Sequence, residues 1–242
     1  IEISNRAQAI FKAIQKLKTG EILLVAGKGH EKTQDIGKRK IYFSDKKIIL
    51  DSIRRKNLNL SNNFKLNIIK EVSGHKKFTS SIFFNRATIN SQEVKKNDIF
   101  FAIKGKKNDG NKFVKQSFKR KASIAVVNRL QNGLNARRQI KVKNTLKFLT
   151  EISNTLRLNL NTKIIAVTGS CGKTTLKELL GNSLKKIYKT SISPKSYNNK
   201  YGVPLSLFNL THKDIYGVLE VGMDKKGEID YLSKIIQPDI SV

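Results

Sequence analysis

A chain of 242 residues with 38% hydrophobic content has room for one large or two ordinary domains, and enough apolar material for a buried core. No apolar stretch approaches the roughly 18 residues that a membrane span requires, and the polar, amphipathic start IEISNRAQAIFKAIQKL does not read as a secretory signal. One cysteine excludes an intramolecular disulfide and fits a reducing cytoplasm, while a formal charge of +30 (48 Lys and Arg against 18 Asp and Glu) opens a nucleic-acid reading.

In chain order, residues 5–17 place Ala7, Ile10, Phe11, Ile14 and Leu17 on one helical face, with Ser4 or Asn5 as N-cap and Gly20 as the stop. The run EILLVAG (21–27) has the length and continuous hydrophobicity of a buried parallel strand, and it ends in the loop GKGHE. KRKIYF predicts another strand, and Ser44 and Asp45 offer a cap for a helix over KKIILDSI. Residues 54–65, RRKNLNLSNNFK, are polar and aperiodic and mark a domain boundary. Beyond it, SSIFFNRATI, NDIFFAI and ASIAVVN read as strands alternating with turns, with helices near 112–120 and 145–158. The polar joint NLNTK marks a second boundary. The last segment alternates regularly: strand KIIAVTG, a loop, a helix aligning Leu176, Leu180, Leu184 and Ile187, then YKTSIS, the helix VPLSLFNL, strand IYGVLEVG, helix GEIDYLSKII and strand DISV. Strands separated by helices of this length predict a parallel, doubly wound sheet whose ligands sit at the carboxyl ends of its strands.

Both VTGSCGKTT (167–175) and Glu220 fall at such ends. The loop is shorter than the common phosphate-loop pattern of Gly, four residues, then Gly-Lys-Ser/Thr. Its chemistry is nevertheless complete. Gly169 and Gly172 permit a tight turn in which backbone N–H groups approach phosphate oxygens, and a helix opening at Lys173 adds its positive end. Lys173 can reach β- and γ-phosphates, the Thr174 hydroxyl can ligate Mg²⁺, and Glu220, at the tip of an apolar strand, is the candidate second ligand. The basic runs GKRK, IRRKN and FKRKAS are short and carry no interleaved aromatics. Scattered lysine therefore reads first as a compositional habit that also steers anionic ligands.

AVTGSCGKTTLKELL resembles the ATP loop of the Mur ligases, T-G-[ST]-N-G-K-T-T, with Cys171 where that family has Asn. SYNNKYGVPLSLFNL and GVLEVGMDKKGEIDYLSKIIQPDISV resemble the branch that adds D-alanyl-D-alanine to UDP-N-acetylmuramoyl-tripeptide (MurF). INSQEVKKNDIFFAIKGKKNDGNKF is similar to that branch's N-terminal domain, with Asn90-Ser91-Gln92 in place of Asp-Ser-Arg. The resemblance implies an ATP- and Mg²⁺-dependent amide ligase of peptidoglycan precursor synthesis, working through an acyl phosphate. Gly169, Ser170, Cys171, Gly172, Lys173, Thr174 and Thr175 would hold ATP, Thr174 and Glu220 the metal, and Ser91, Asn198 and Asn199 the substrate. RAQAIFKAIQKLKTGEILLVAGKGHEKTQDIGKRKIYFSDKKIIL is similar instead to the C-terminal end of the ligase acting one step earlier (MurE), which implies that Gly27 and Glu31 meet the incoming amino acid.

The expected organisation is therefore α/β throughout: a partial Rossmann-like piece (1–53), a linker (54–65), a small UDP-sugar-binding domain (66–160) and a truncated doubly wound, P-loop ATPase-type domain (161–242). The start at Ile1 and the stop inside PDISV read as a fragment of a longer polypeptide, inactive in isolation. Two fused ligases, or two adjacent reading frames joined, give the same string. Another ligase of the Mur and folylpolyglutamate type, or a basic nucleic-acid-binding P-loop protein, are the alternative functions.

Overall fold

The computed structural model describes residues 2–242 except 19, 28–32, 37–38, 75–82, 85 and 106–107, and gives backbone alone for 34–36, 39–41, 54–55 and 57–63. The chain divides into two compact units between Ser61 and Asn62.

In the first unit, α1 (Arg6–Lys16) opens at Asn5, whose side chain accepts from Gln8 N, and it buries Ile10 and Ile14 on the expected face. β1 (Thr33–Ile36) and β2 (Arg39–Tyr42) pair as an antiparallel hairpin. α2 (Asp45–Ser73) then starts, with Lys47 N donating to Ser44 Oγ at 3.4 Å. The Lys56 ammonium donates to Ile14 O and Leu17 O, which satisfies carbonyls left over at the end of α1.

Two expectations fail here. Residues 21–26 form no strand, and Ile22 and Leu24 are 94% and 85% exposed. A buried parallel strand needs ladder partners and a covering layer, and among the described residues no strand pairs with this run. Of the elements expected over 1–53, the first helix and the strand at KRKIYF form, the latter within an antiparallel hairpin. The stretch 54–65 does contain the division between the units, but it is not irregular, because α2 runs through it unbroken. That stretch has no hydrophobic period, yet it holds neither Gly nor Pro, and its Lys, Arg and Leu favour helix. The stop comes only at Gly74, with φ +66.

The second unit contains two parallel four-stranded sheets. The first has β3 (Ala87–Thr88), β4 (Ile99–Phe101), β5 (Ile124–Val127) and β6 (Gln139–Lys141) side by side in chain order. Of the strand expected over 80–89 only Ala87–Thr88 is a strand, and residues 80–82 and 85 lie outside the described set. α3 (Val114–Lys119) joins β4 to β5, and α4 (Thr145–Leu158) follows β6. Period-two alternation sorts the side chains. Ile99, Phe101, Ile124, Val126 and Ile140 face a core with Leu149 and Ile152 of α4, whereas Phe100, Ala102, Ala125 and Val127 face Val114 on the other side.

The second sheet has β7 (Lys163–Val167), β8 (Thr190–Ile192), β9 (Tyr216–Glu220) and β10 (Ile240–Ser241), in the order β10-β7-β9-β8 and all parallel. α5 (Lys173–Lys185), α6 (Gly202–Asn209) and α7 (Glu228–Ile236) are its crossovers. Ile165, Val167 and Val218 pack under Leu180 and Leu184 of α5, while Ile164, Ala166 and Leu219 pack with Val203 of α6 and Leu232 of α7. Helices thus cover both faces. α6 also serves the first sheet, since its Phe208 ring lies 5.8 Å from Phe101 and 6.1 Å from Phe84. Full burial of one such ring is worth about 2–3 kcal/mol. Asn209 closes the seam, accepting from Ala87 N at 2.7 Å and donating to Ala87 O at 3.2 Å, so that its amide stands in for a neighbouring strand at the edge of β3.

Candidate functional site

Strand register assembles the site. Glu220 ends β9 directly beside Val167, the last residue of β7. Alternation puts it on the same face as Val218, the face that α5 covers. The carboxylate therefore arrives next to the loop that joins β7 to α5, and it is 1% exposed. In that loop Gly169 and Gly172 have φ of +140 and +76, backbone that side-chain-bearing residues rarely adopt. Gly172 is the N-cap of α5, and no side chain caps the helix. The first N–H groups are thus left without a side-chain partner, at the positive end of the helix dipole, where an anion is favoured.

Side chains converge on this point from three elements. Thr174 Oγ1, in the first turn of α5, donates to Glu220 Oε2 at 2.8 Å. Asn198 Nδ2, from the loop before α6, donates to Glu220 Oε1 at 3.0 Å. Lys173 Nζ donates to Gly169 O at 2.6 Å, folded over the loop it would serve. Asn198 is itself held by its backbone, since Gly222 N donates to Asn198 O at 2.6 Å. A Cβ on Gly222 would stand 2.8 Å from that oxygen, so glycine is required for this approach.

One residue of the site was not legible in the sequence. The aligned row Leu176, Leu180, Leu184 and Ile187 is not the buried stripe of α5, for Leu176 and Ile187 are 41% and 76% exposed. The stripe is rotated by one position and contains Lys177 and Gly181, with Leu180 and Leu184 partly buried at its side. Gly181 permits the rotation, because a Cβ there would lie 2.5 Å from Ile192 Cδ1. Lys177 is fully buried. Its Nζ donates to Lys195 O and lies 3.6 Å from Glu220 Oε2 and 3.4 Å from Glu178 Oε1. The only available signal was its helical spacing, one turn beyond Thr174, and among 48 Lys and Arg that signal is silent.

The remaining expected residues are placed as follows. Ser170, Cys171 and Thr175 are exposed, and Cys171 is a free thiol. Asn199 turns its Oδ1 to Tyr201 N at 3.0 Å and Gly202 N at 3.1 Å, and so starts α6 rather than joining Glu220. Ser91 is buried and donates to Gln116 Oε1 at 2.8 Å, or accepts from it if that amide is reversed. Within NDGNKF, Asp109 Oδ1 accepts from Asn111 N at 2.9 Å and Asn111 Nδ2 at 2.6 Å, and the bonds from Asn111 hold its carboxyl below the usual carboxylate range. Asn111 Oδ1 in turn accepts from Asn128 N at 3.2 Å, so the motif knots together the segments that follow β4 and β5. Gly27, with φ +110, stands by Arg6, whose guanidinium donates to Ala26 O and Asp45. Glu31 lies outside the described residues.

Two family models match the chain: "Mur ligase family, catalytic domain" over residues 84–157 and "Mur ligase middle domain" over 167–242. Between them they cover more than half of its length. The chain belongs to the Mur ligase family. Among its Mur ligase relatives is the UDP-N-acetylmuramoyl-tripeptide–D-alanyl-D-alanine ligase of Buchnera aphidicola subsp. Acyrthosiphon pisum, 35% identical over 164 residues, which are 67% of this chain and 35% of that one. The ligase of the same name from Bacillus subtilis is 30% identical over 176 residues, 72% of this chain and 38% of that one. The chain thus spans about a third of the length of the curated relatives it matches. A solved UDP-N-acetylmuramoylalanyl-D-glutamyl-2,6-diaminopimelate–D-alanyl-D-alanyl ligase from Acinetobacter baumannii superposes with TM-score 0.63 at 34% identity, covering 72% of this chain and 40% of that one. The MurF ligase of Thermotoga maritima in complex with ADP does so with TM-score 0.53 at 34% identity, over 64% and 36%.

Proposed function

We propose that residues 62–242 carry the nucleotide site and part of the substrate site of an ATP-dependent ligase that joins D-alanyl-D-alanine to UDP-N-acetylmuramoyl-tripeptide. One observation carries the reading: a buried acid, Glu220, hydrogen-bonded to Thr174 at the mouth of a two-glycine loop whose helix has no side-chain cap. The loop N–H groups of Gly169 to Thr175 receive the nucleotide phosphates, and Lys173 leaves Gly169 O to meet them. A hydroxyl and a carboxylate oxygen 2.8 Å apart are hard donors that fit Mg²⁺. Thr174 and Glu220 would hold that ion, which when bound supplies charge neutralisation at the phosphates.

Asn198 helps to orient the Glu220 carboxylate, and the assignment of Ser91, Asn198 and Asn199 to the acceptor rests on the resemblance of their motifs to those of the family. The reaction class is transfer of the γ-phosphoryl group to a substrate carboxylate, followed by attack of the amine on the acyl phosphate. For such chemistry the protein supplies positioning and electrostatics. The first unit is read as the end of a tripeptide-forming ligase (MurE), with Gly27 and Glu31 toward its amino acid, on the strength of the motif AGKGHE. A cytoplasmic location accords with such substrates, and no helix among the described residues is long and apolar enough to cross a membrane.

Lys173→Ala tests the site. A lost charge-assisted contact to phosphate is worth about 1.5–3 kcal/mol, so calorimetric affinity for ADP with Mg²⁺ falls about tenfold or more at unchanged melting temperature. Affinity equal to wild type in that variant removes the loop from the nucleotide site.

A further inference from the structure

Lys177 is one of two buried lysines among the described residues, the other being Lys65. It is fully buried on the face of α5 that packs on the sheet, and of the two it is the one paired with a buried carboxylate of the candidate site. Its ammonium touches three oxygens: the Lys195 carbonyl, Glu178 Oε1 at 3.4 Å and Glu220 Oε2 at 3.6 Å. The Glu220 oxygen is the same one that accepts from Thr174. Of the two carboxylates, Glu178 is half open to water, with its side chain 47% exposed, and Glu220 is not, at 2%. The buried charge of Glu220 therefore has its counter-charge in Lys177, while Asn198 and Thr174 contribute only neutral donors.

Resting on the reading of Glu220 as a cation ligand, we propose that Lys177 is a resident counter-ion: it occupies the electrostatic place of the divalent cation at Glu220, so that the site takes Mg²⁺ only together with nucleotide phosphates. A divalent cation held by Glu220 would have to share that carboxylate with the Lys177 ammonium, and the two positive charges would repel. Nearby, Lys173 adds a second positive group at the same loop. Phosphates reverse this balance by bringing several negative charges to the loop at once. The arrangement gives an ordered site in which Glu220 is oriented before any ligand arrives, without a standing affinity for free Mg²⁺. Lys177 is in this sense a positioning residue, acting through Glu220 rather than on the reacting atoms.

The test uses the 242-residue chain, Mg²⁺ alone as probe, and melting temperature plus calorimetry as readouts, with Lys177→Gln, which keeps an N–H donor and removes the charge. The Lys177 ammonium and the Glu220 carboxylate, 3.6 Å apart and both buried, interact strongly enough that without the ammonium Mg²⁺ alone should bind the variant about tenfold or more tighter than wild type. Its melting temperature should then rise with added Mg²⁺ in the absence of nucleotide. Lys177→Arg should return the wild-type insensitivity, and the double variant Lys177→Gln with Glu220→Gln should lose the response. A merely structural lysine would lower stability without creating a magnesium response. The inference is overturned if Lys177→Gln gains no affinity for Mg²⁺ alone, or if it fails to fold at every Mg²⁺ concentration, since the cation should replace the missing ammonium. Wild-type chain that shows no Mg²⁺-dependent ADP binding overturns the nucleotide-site reading itself, and the inference with it.

Discussion

Replacing Lys65 by Met should stabilise the second unit at neutral pH. Lys65 lies in α2, 3% exposed, with Nζ 5.1 Å above the Phe208 ring. Burial away from water pushes its ammonium down from the ordinary 10.5 to about 8, against the partial pull of the Asp214 carboxylate. Both folded and unfolded chains carry the charge below about 8, and there the folded state bears the whole cost of holding it. Between about 8 and 10.5 the folded chain has released the proton and the unfolded chain has not, so stability rises with pH across this window. At about 1.4 kcal/mol per pH unit, that gap amounts to about 3 kcal/mol. The ammonium's attraction to Phe208, worth roughly 1 kcal/mol, is lost on substitution. The net gain for Lys65→Met at neutral pH is therefore about 2 kcal/mol. Urea denaturation of both proteins, followed by far-ultraviolet circular dichroism at neutral pH and in steps from about 8 to 10.5, isolates this residue, because every other titrating group is common to both. The advantage of the variant should be constant below about 8 and vanish toward 10.5. A variant less stable at neutral pH, or a difference that is flat across the window, refutes the reasoning.

Glu220→Gln replaces an anionic ligand by a weak neutral one, so the Mg²⁺ needed for half-maximal ADP binding should rise by about tenfold or more; an unchanged titration removes Glu220 from the metal site. Gly222→Ala puts a methyl 2.8 Å from Asn198 O, which displaces the amide that holds Glu220. Overpacking of this kind costs about 1–3 kcal/mol, and denaturant midpoint and ADP affinity should fall together. Trypsin should cut first at Lys18, in the irregular segment after α1, and not at Lys56 inside α2; mass spectrometry of the earliest product decides, and a first cut at Lys56 would mean that α2 does not hold as one helix.

Local chemistry made much of this protein readable from its sequence. Gly169 and Gly172 flank a loop that needs left-handed backbone, and β7 and β9 are apolar runs that read as buried strands and are buried. Glu220 stands out because a charge at the tip of such a run is costly without a partner. α1 declared itself through its period and its cap at Asn5, and the helix expected near 145–158 is α4. What the sequence could not determine depends on neighbours distant in the chain. EILLVAG has the composition of a buried strand, but burial is a property of what lies alongside, and no ladder partner stands beside 21–26 among the described residues. The absence of a hydrophobic period over 54–65 looked like a linker, yet a helix without breakers continues until a glycine stops it. The rotation of α5 was decided by the close approach of Gly181 to Ile192 on β8, a contact no window of sequence contains. That rotation turned Lys177, rather than Leu176, toward the sheet, and so made a counter-charge for Glu220 out of one lysine among many.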